Sequence, residues 1–129
     1  MAQIKKIIDS DRDLTTLVFS GKVAPEEVIG ALKEFYGASP TLNTIWNFSD
    51  CDLSAARMEQ LSSILVVARS YAHLRKGGRS ALVLPGDVGF GLGRMYEAMA
   101  EGKDHPVEHA VFRSVAEALK WLDSAAGQD

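Results

Sequence analysis

The sequence predicts an α/β fold: a mixed sheet of about five strands with four helices, an N-terminal hairpin first and β-α repeats after it. Three observations predict it. Short runs of strand-forming residues alternate with amphipathic helical segments from Pro25 onward. Only a polar stretch separates the first two runs, as in a hairpin. The 129 residues are 47% hydrophobic, one domain's length with enough apolar side chains for a core.

Ile4 to Asp9 and Leu14 to Ser20 are the first two strands, joined through Asp9-Ser10-Asp11-Arg12-Asp13. Leu17 and Phe19 fall on one face, Thr16 and Val18 on the other, and Gly21 ends the run. Pro25 suits a first helical turn, and Glu26 and Glu27 follow at its positive end. Val28, Leu32 and Phe35 share a face, so the first helix spans residues 25–36, with Gly37 as its cap.

Leu42 to Ser49, with Thr44, Ile45, Trp46 and Phe48, is the third strand. Ser54 is a candidate N-cap for a helix over residues 54–74, whose stripe is Met58, Leu61, Leu65, Ala68 and Ala72. Gly77-Gly78 stops it. Ser80 to Leu84 is apolar through Ala81-Leu82-Val83-Leu84, the pattern of a strand buried on both faces. A third helix lies between Asp87 and Ala100, and Val107 to Phe112 is the last strand. Ser114 and Glu117 form a capping box for a final helix with Val115, Leu119 and Leu122 inward. No internal boundary is drawn in 1–129, and the small polar tail 124–129 reads as frayed.

Composition excludes several classes. The net charge of -3 gives no general attraction to nucleic acid. The single cysteine forbids an internal disulfide and suits a reducing, cytoplasmic setting. No basic-then-apolar leader is present, and the longest strongly apolar run, Ile64 to Ala68, is far too short to span a membrane.

Functional residues in such a sheet are expected at the carboxyl ends of the parallel strands: 49–54, 85–94 and 113–114. Gly86, Gly89, Gly91 and Gly93, with Arg94 next, are a candidate anion site at a helix start. The spacing is neither a dinucleotide fingerprint nor a Walker loop, and close helix packing explains the glycines equally. His105-Pro106-Val107-Glu108-His109 has the letters of an inverted zinc motif. It leads into a strand, where four residues span roughly 13 Å, so no metal is expected. Asp9, Asp11 and Asp13 lack the glycine and glutamate of a calcium loop. Cys51 lies between Asp50 and Asp52, which disfavour its thiolate. Arg69, His73, Arg75, Lys76 and Arg79 form a basic cluster that complements a helix end or meets an anionic partner.

Five stretches resemble a known family: Phe19-Ser20-Gly21-Lys22-Val23, Trp46-Asn47-Phe48-Ser49-Asp50, Phe90-Gly91-Leu92-Gly93-Arg94-Met95-Tyr96, Val111-Phe112-Arg113 and Glu117-Ala118-Leu119-Lys120-Trp121-Leu122. Together with the element order over residues 4–122, they resemble the STAS domain of the bacterial SpoIIAA-type anti-sigma-factor antagonists, a group itself similar to the lipid-binding CRAL-TRIO domains. The resemblance implies a non-enzymatic regulatory or protein-interaction module, without a cofactor or bound metal. Its partners would be other proteins, or a second copy of this chain if an apolar sheet face is uncovered. In that family a serine in Asp-Ser-Ser-Gly is phosphorylated. Here Asp52-Leu53-Ser54-Ala55 matches at Asp52 and Ser54 and departs at Leu53 and Ala55. A gapless alignment puts Ala55-Ala56-Arg57-Met58 there, with no match. By resemblance, partner contact centres on Ser54 and Arg57. The alternative is a binder of a small or lipid-like anion under the third helix, its head held by Gly89, Gly91, Gly93 and Arg94.

Overall fold

The computed structural model describes residues 2–54, 56–101 and 105–126. Its five strands are β1 (Gln3–Asp9), β2 (Leu14–Lys22), β3 (Asn43–Asp52), β4 (Arg79–Val83) and β5 (Glu108–Phe112). They lie in the order β1-β2-β3-β4-β5. The hairpin is antiparallel, with Ile4 opposite Phe19 and Ile7 opposite Thr16. The remaining pairs are parallel. Helices α1 (Pro25–Gly37), α2 (Met58–Tyr71) and α3 (Asp87–Glu101) connect them, and α4 (Val115–Ala126) follows β5.

Every crossover steps one strand in the same direction. A constant right hand therefore puts α1, α2 and α3 on one sheet face. The two cores reflect this. Leu17, Phe19, Trp46, Leu82 and Leu84 pack under α1 to α3. Leu14, Ile45, Ala81 and Val83 pack against Ala118 and Leu122 of α4. β4 is thus buried on both faces, as its apolar run predicts.

The local signals work as read at most element starts. Pro25 opens α1, and Glu27 Oε1 accepts the Ala24 N–H at 2.9 Å. Ser114 Oγ accepts the Glu117 N–H at 3.2 Å and caps α4. The aspartates between β1 and β2 make a charged turn: Asp9 Oδ1 accepts from the Asp11 and Arg12 N–H groups, and Arg12 also bridges to Asp123 of α4.

Several boundaries differ. Gly37 is the last residue of α1 itself. The helix expected over 54–74 is two pieces, α2 and a tight 3-10 turn at Ala72–Arg75. Met58, the first residue of the expected stripe, is 55% exposed. Residues 124–126 of the tail expected to fray are helical in α4, and 127–129 lie outside the described residues. On the edge strand β1, Ile4, Ile7 and Ile8 are exposed. Lys5 and Lys6 sit among them, charges of the kind that keep an edge strand from adding neighbours.

Gly78 needs its missing side chain. A Cβ there would collide with the Leu42 carbonyl oxygen and lie 2.9 Å from that of Arg75. Its neighbour Gly77 has φ +86, a conformation glycine adopts freely. The pair turns the chain from the 3-10 segment into β4 and fixes Arg75 against the start of β3.

Candidate functional site

A cavity of about 130 Å³ lies between the sheet and helices α1 to α3. Its walls are mostly apolar: Leu32 from α1, Trp46 from β3, Leu61 and Ala68 from α2, Leu82 from β4 and Tyr96 from α3. Val23, Leu53 and Gln60 line the end near the carboxyl ends of β2 and β3. Arg75, Ser80, His105 and His109 line the opposite end, at the amino ends of β4 and β5. The polar groups thus gather at the strand ends opposite to those the topology rule selects.

Arg75 is the centre of that polar end. It is 3% exposed. Its Nε donates to the Thr41 and Leu42 carbonyls at 3.1 and 3.0 Å. One terminal nitrogen donates to Tyr36 Oη at 3.1 Å and Ser80 Oγ at 3.0 Å. The other reaches Thr44 Oγ1 at 3.4 Å and the Arg79 carbonyl at 3.0 Å. All six acceptors are neutral, and no carboxylate pairs with Arg75 among the described residues. Burial pulls the guanidinium below its ordinary pKa, yet an arginine stays charged.

The surrounding hydroxyls form one network. Trp46 Nε1 and Arg75 both donate to Thr44 Oγ1. Thr44 therefore gives its own proton to Ser80 Oγ, 2.8 Å away. Thr44 and Ser80 sit on the same faces of β3 and β4 as Trp46 and Leu82. They are polar interruptions in otherwise apolar stripes.

The two histidines are neighbours, with ring centroids 4.8 Å apart. The 13 Å separation expected of an extended segment does not apply, because β5 begins only at Glu108 and the chain bends at Pro106. Val107 holds both rings. Its N–H donates to His105 Nδ1, and its carbonyl accepts from His109 Nδ1, each at 3.1 Å. The His105 proton then belongs on Nε2, which is buried without a partner among the described residues. Burial, reinforced by His105 and Arg75, pushes the His109 imidazole down to about 3. His105 is lowered too, first by burial and then by Arg69 and Arg75. Among the described residues, no group of three or more His, Cys, Asp or Glu side chains is placed to hold a metal ion.

The glycine segment is helix rather than turn: Gly89, Gly91, Gly93 and Arg94 all lie inside α3. Gly89 and Gly93, four residues apart, face the sheet. A Cβ on Gly93 would come within 2.5 Å of Val111 Cγ2, and one on Gly89 within 3.2 Å of Leu53 and Leu84. Their smallness brings α3 close to β4 and β5. Gly93 lines the cavity, Gly91 is open to solvent, and Arg94 is exposed and outside the lining.

Ser54 does not cap α2. The helix starts at Met58, and Gln60 Oε1 accepts the Arg57 N–H at 2.9 Å instead. β3 runs on to Asp52, whose Oδ1 accepts the Ser54 N–H at 3.0 Å in a short turn. Ser54 and Arg57 are both exposed, next to the cavity-lining Leu53, Ala56 and Gln60. Ala55, part of the serine motif comparison, lies outside the described residues.

The basic cluster does not form one patch. Arg75 turns inward. Arg79 pairs with Glu108 at 2.9 Å and lies 4.5 Å from the Trp121 ring centroid. Arg69 donates to the Met99 carbonyl. Burial, then Asp50, pushes the Cys51 thiol up to about 11, in line with its acidic neighbours. Among the described residues, no helix is long and apolar enough to cross a membrane.

No family model and no curated protein matches the chain. Among solved structures, it is similar to an uncharacterized protein of the DUF3478 family with a SpoIIAA-like fold, from Shewanella loihica PV-4. The two share 19% identity, the match covers 94% of this chain and 93% of the other, and the TM-score is 0.59. The chain therefore has a SpoIIAA-like fold, as its element order and motifs predict.

Proposed function

We propose that this chain is a non-enzymatic binding module that holds a small, largely apolar molecule between its sheet and helices α1 to α3. One observation carries the reading: where close packing is expected, a pocket of about 130 Å³ with mostly apolar walls, open on one side, reaches into the core. An engineered apolar cavity of about 150 Å³ takes up benzene, so a six-membered ring is the right scale. The polar end supports binding rather than reaction. Both histidines are oriented by the Val107 backbone, not by a carboxylate. The Cys51 thiol, pushed up to about 11, is a poor nucleophile at neutral pH.

A second reading, a protein-interaction module of the antagonist type, is favoured by the exposed Ser54, Arg57 and Met58 before and at the start of α2. Native mass spectrometry of gently purified protein separates the two. The expected result is an added mass of a ring-sized molecule, absent in Ala68→Leu, whose extra methyls fill the cavity. A clean mass in both proteins, as monomer or dimer, overturns the ligand reading in favour of the interaction module.

A further inference from the structure

We infer that the occupant of this cavity is an anion, a small aromatic or short-chain carboxylate whose head group sits against Arg75, Tyr36, Ser80, Tyr96 and His105. The inference rests on the ligand reading above and adds the chemistry of the head group.

A guanidinium that is 3% exposed stands at the end of an apolar cavity, and its partners are three hydroxyls and three carbonyls. These satisfy its N–H groups, but none carries a negative charge, and the Asp13 carboxylate acts on Arg75 only through space. In a site walled by Leu82, Trp46 and Tyr96, the Arg75 charge acts through little solvent screening. Its field is felt locally, since Arg75 contributes to holding both nearby histidines below their ordinary range. The protein's net charge of -3 does not alter this, because exposed carboxylates are screened.

Tyr36 Oη accepts from Arg75, so its own proton remains to be given. Ser80 Oγ accepts from both Arg75 and Thr44, and its proton also remains. His105 carries its proton on Nε2, buried without a partner among the described residues. Tyr96 is 8% exposed, and its hydroxyl makes no hydrogen bond among the described residues. All four residues line the same cavity. Opposed to these four donors is one lone pair, on His109 Nε2. A buried donor left unmade is costly, as at His105 Nε2, and a set of open donors beside a cation suits a group that only accepts: an ionised carboxylate. A neutral ring of the same size would fill the walls and leave the donors idle.

The test titrates the wild-type chain at pH 7.5 with sodium benzoate and, separately, with benzyl alcohol, following amide and indole NMR shifts. Benzoate is expected to bind at least ten-fold tighter than benzyl alcohol, with the largest shifts at the Trp46 indole and at Val107. Tyr96→Phe, which removes an unbonded hydroxyl and should fold normally, is expected to weaken benzoate several-fold and leave benzyl alcohol unchanged. Equal binding of the two probes, or an unchanged benzoate affinity in Tyr96→Phe, overturns the anionic head group while the cavity reading stands. Binding of neither probe overturns both.

Discussion

Arg75→Met is expected to unfold at markedly lower denaturant than the parent, a loss of about 3 kcal/mol. Two effects compete. Removing a buried charge that no carboxylate directly pairs with relieves a desolvation cost of several kcal/mol. Against it, six oxygens lose their donor at once, at about 1–3 kcal/mol for each that stays buried and unpaired. Thr44 and Ser80 still have each other, but the Thr41, Leu42 and Arg79 carbonyls and the Tyr36 hydroxyl are left without that partner. The loss of partners therefore wins. Arg75 also joins three elements, since these oxygens belong to α1, the start of β3 and the start of β4. Arg75→Lys keeps the charge but has one nitrogen for six acceptors, so it should recover less than half of the loss. Equilibrium urea unfolding measures all three proteins. A stability of Arg75→Met within about 0.5 kcal/mol of the parent contradicts this account of the polar end.

Stability is expected to fall between pH 6.5 and pH 4.5, above the range in which carboxylates titrate. An unfolded histidine takes up its proton near pH 6.5. Folded His109, held to about 3, does not follow until the solution is far more acidic. Its pKa is lower folded than unfolded, so the unfolded state binds more protons as the pH drops. Stability is full above about pH 6.5 and declines through the window down to about 3. The gap corresponds to about 2 kcal/mol by pH 4.5, allowing for the partial exposure of the ring. His105, lowered in the same direction, adds to the decline. Asp9, Glu27 and Asp52 are lowered carboxylates whose contributions are lost only at lower pH. His109→Phe keeps an aromatic ring against Tyr96 and His105 and removes the titration. Its unfolding free energy should fall clearly less than the parent's from pH 7 to pH 4.5, the remaining decline coming from His105, although its value at pH 7 is lower for want of the bond to Val107. A parallel decline in both proteins excludes His109 as the source.

The fold was legible in the sequence because its signals are local. Alternation in Leu14 to Ser20, the helical period of Val28, Leu32 and Phe35, and the capping pair Ser114 and Glu117 each need only neighbours to act. The start of α2 was misread because Ser54 is a good cap in isolation. The outcome turned on β3 continuing to Asp52 and on Gln60 serving the Arg57 N–H, and both depend on tertiary context.

The candidate site was largely illegible, for a physical reason. Arg75 stands among other cations, and a basic cluster near a helix end reads as solvated surface. Nothing local marks which member turns inward. The available signal lay elsewhere, in Thr44 and Ser80 placed two residues from Trp46 and Leu82 on the core faces of their strands. Polar residues at core positions ask for a buried partner, and Arg75 is that partner. His105 and His109 were separated by assuming an extended chain where Pro106 bends it. Gly89 and Gly93 carried a packing signal in their spacing of four, one helical turn, which the anion reading passed over.

The central claim is that the space between the sheet and helices α1 to α3 is open to an apolar occupant. A crystal structure determined under xenon pressure tests it most directly, since xenon enters apolar cavities of this size. The account predicts xenon among Trp46, Ala68, Leu82 and Tyr96, with those side chains where they stand now. Absence of xenon there, with the same side chains closed over the space, would contradict it.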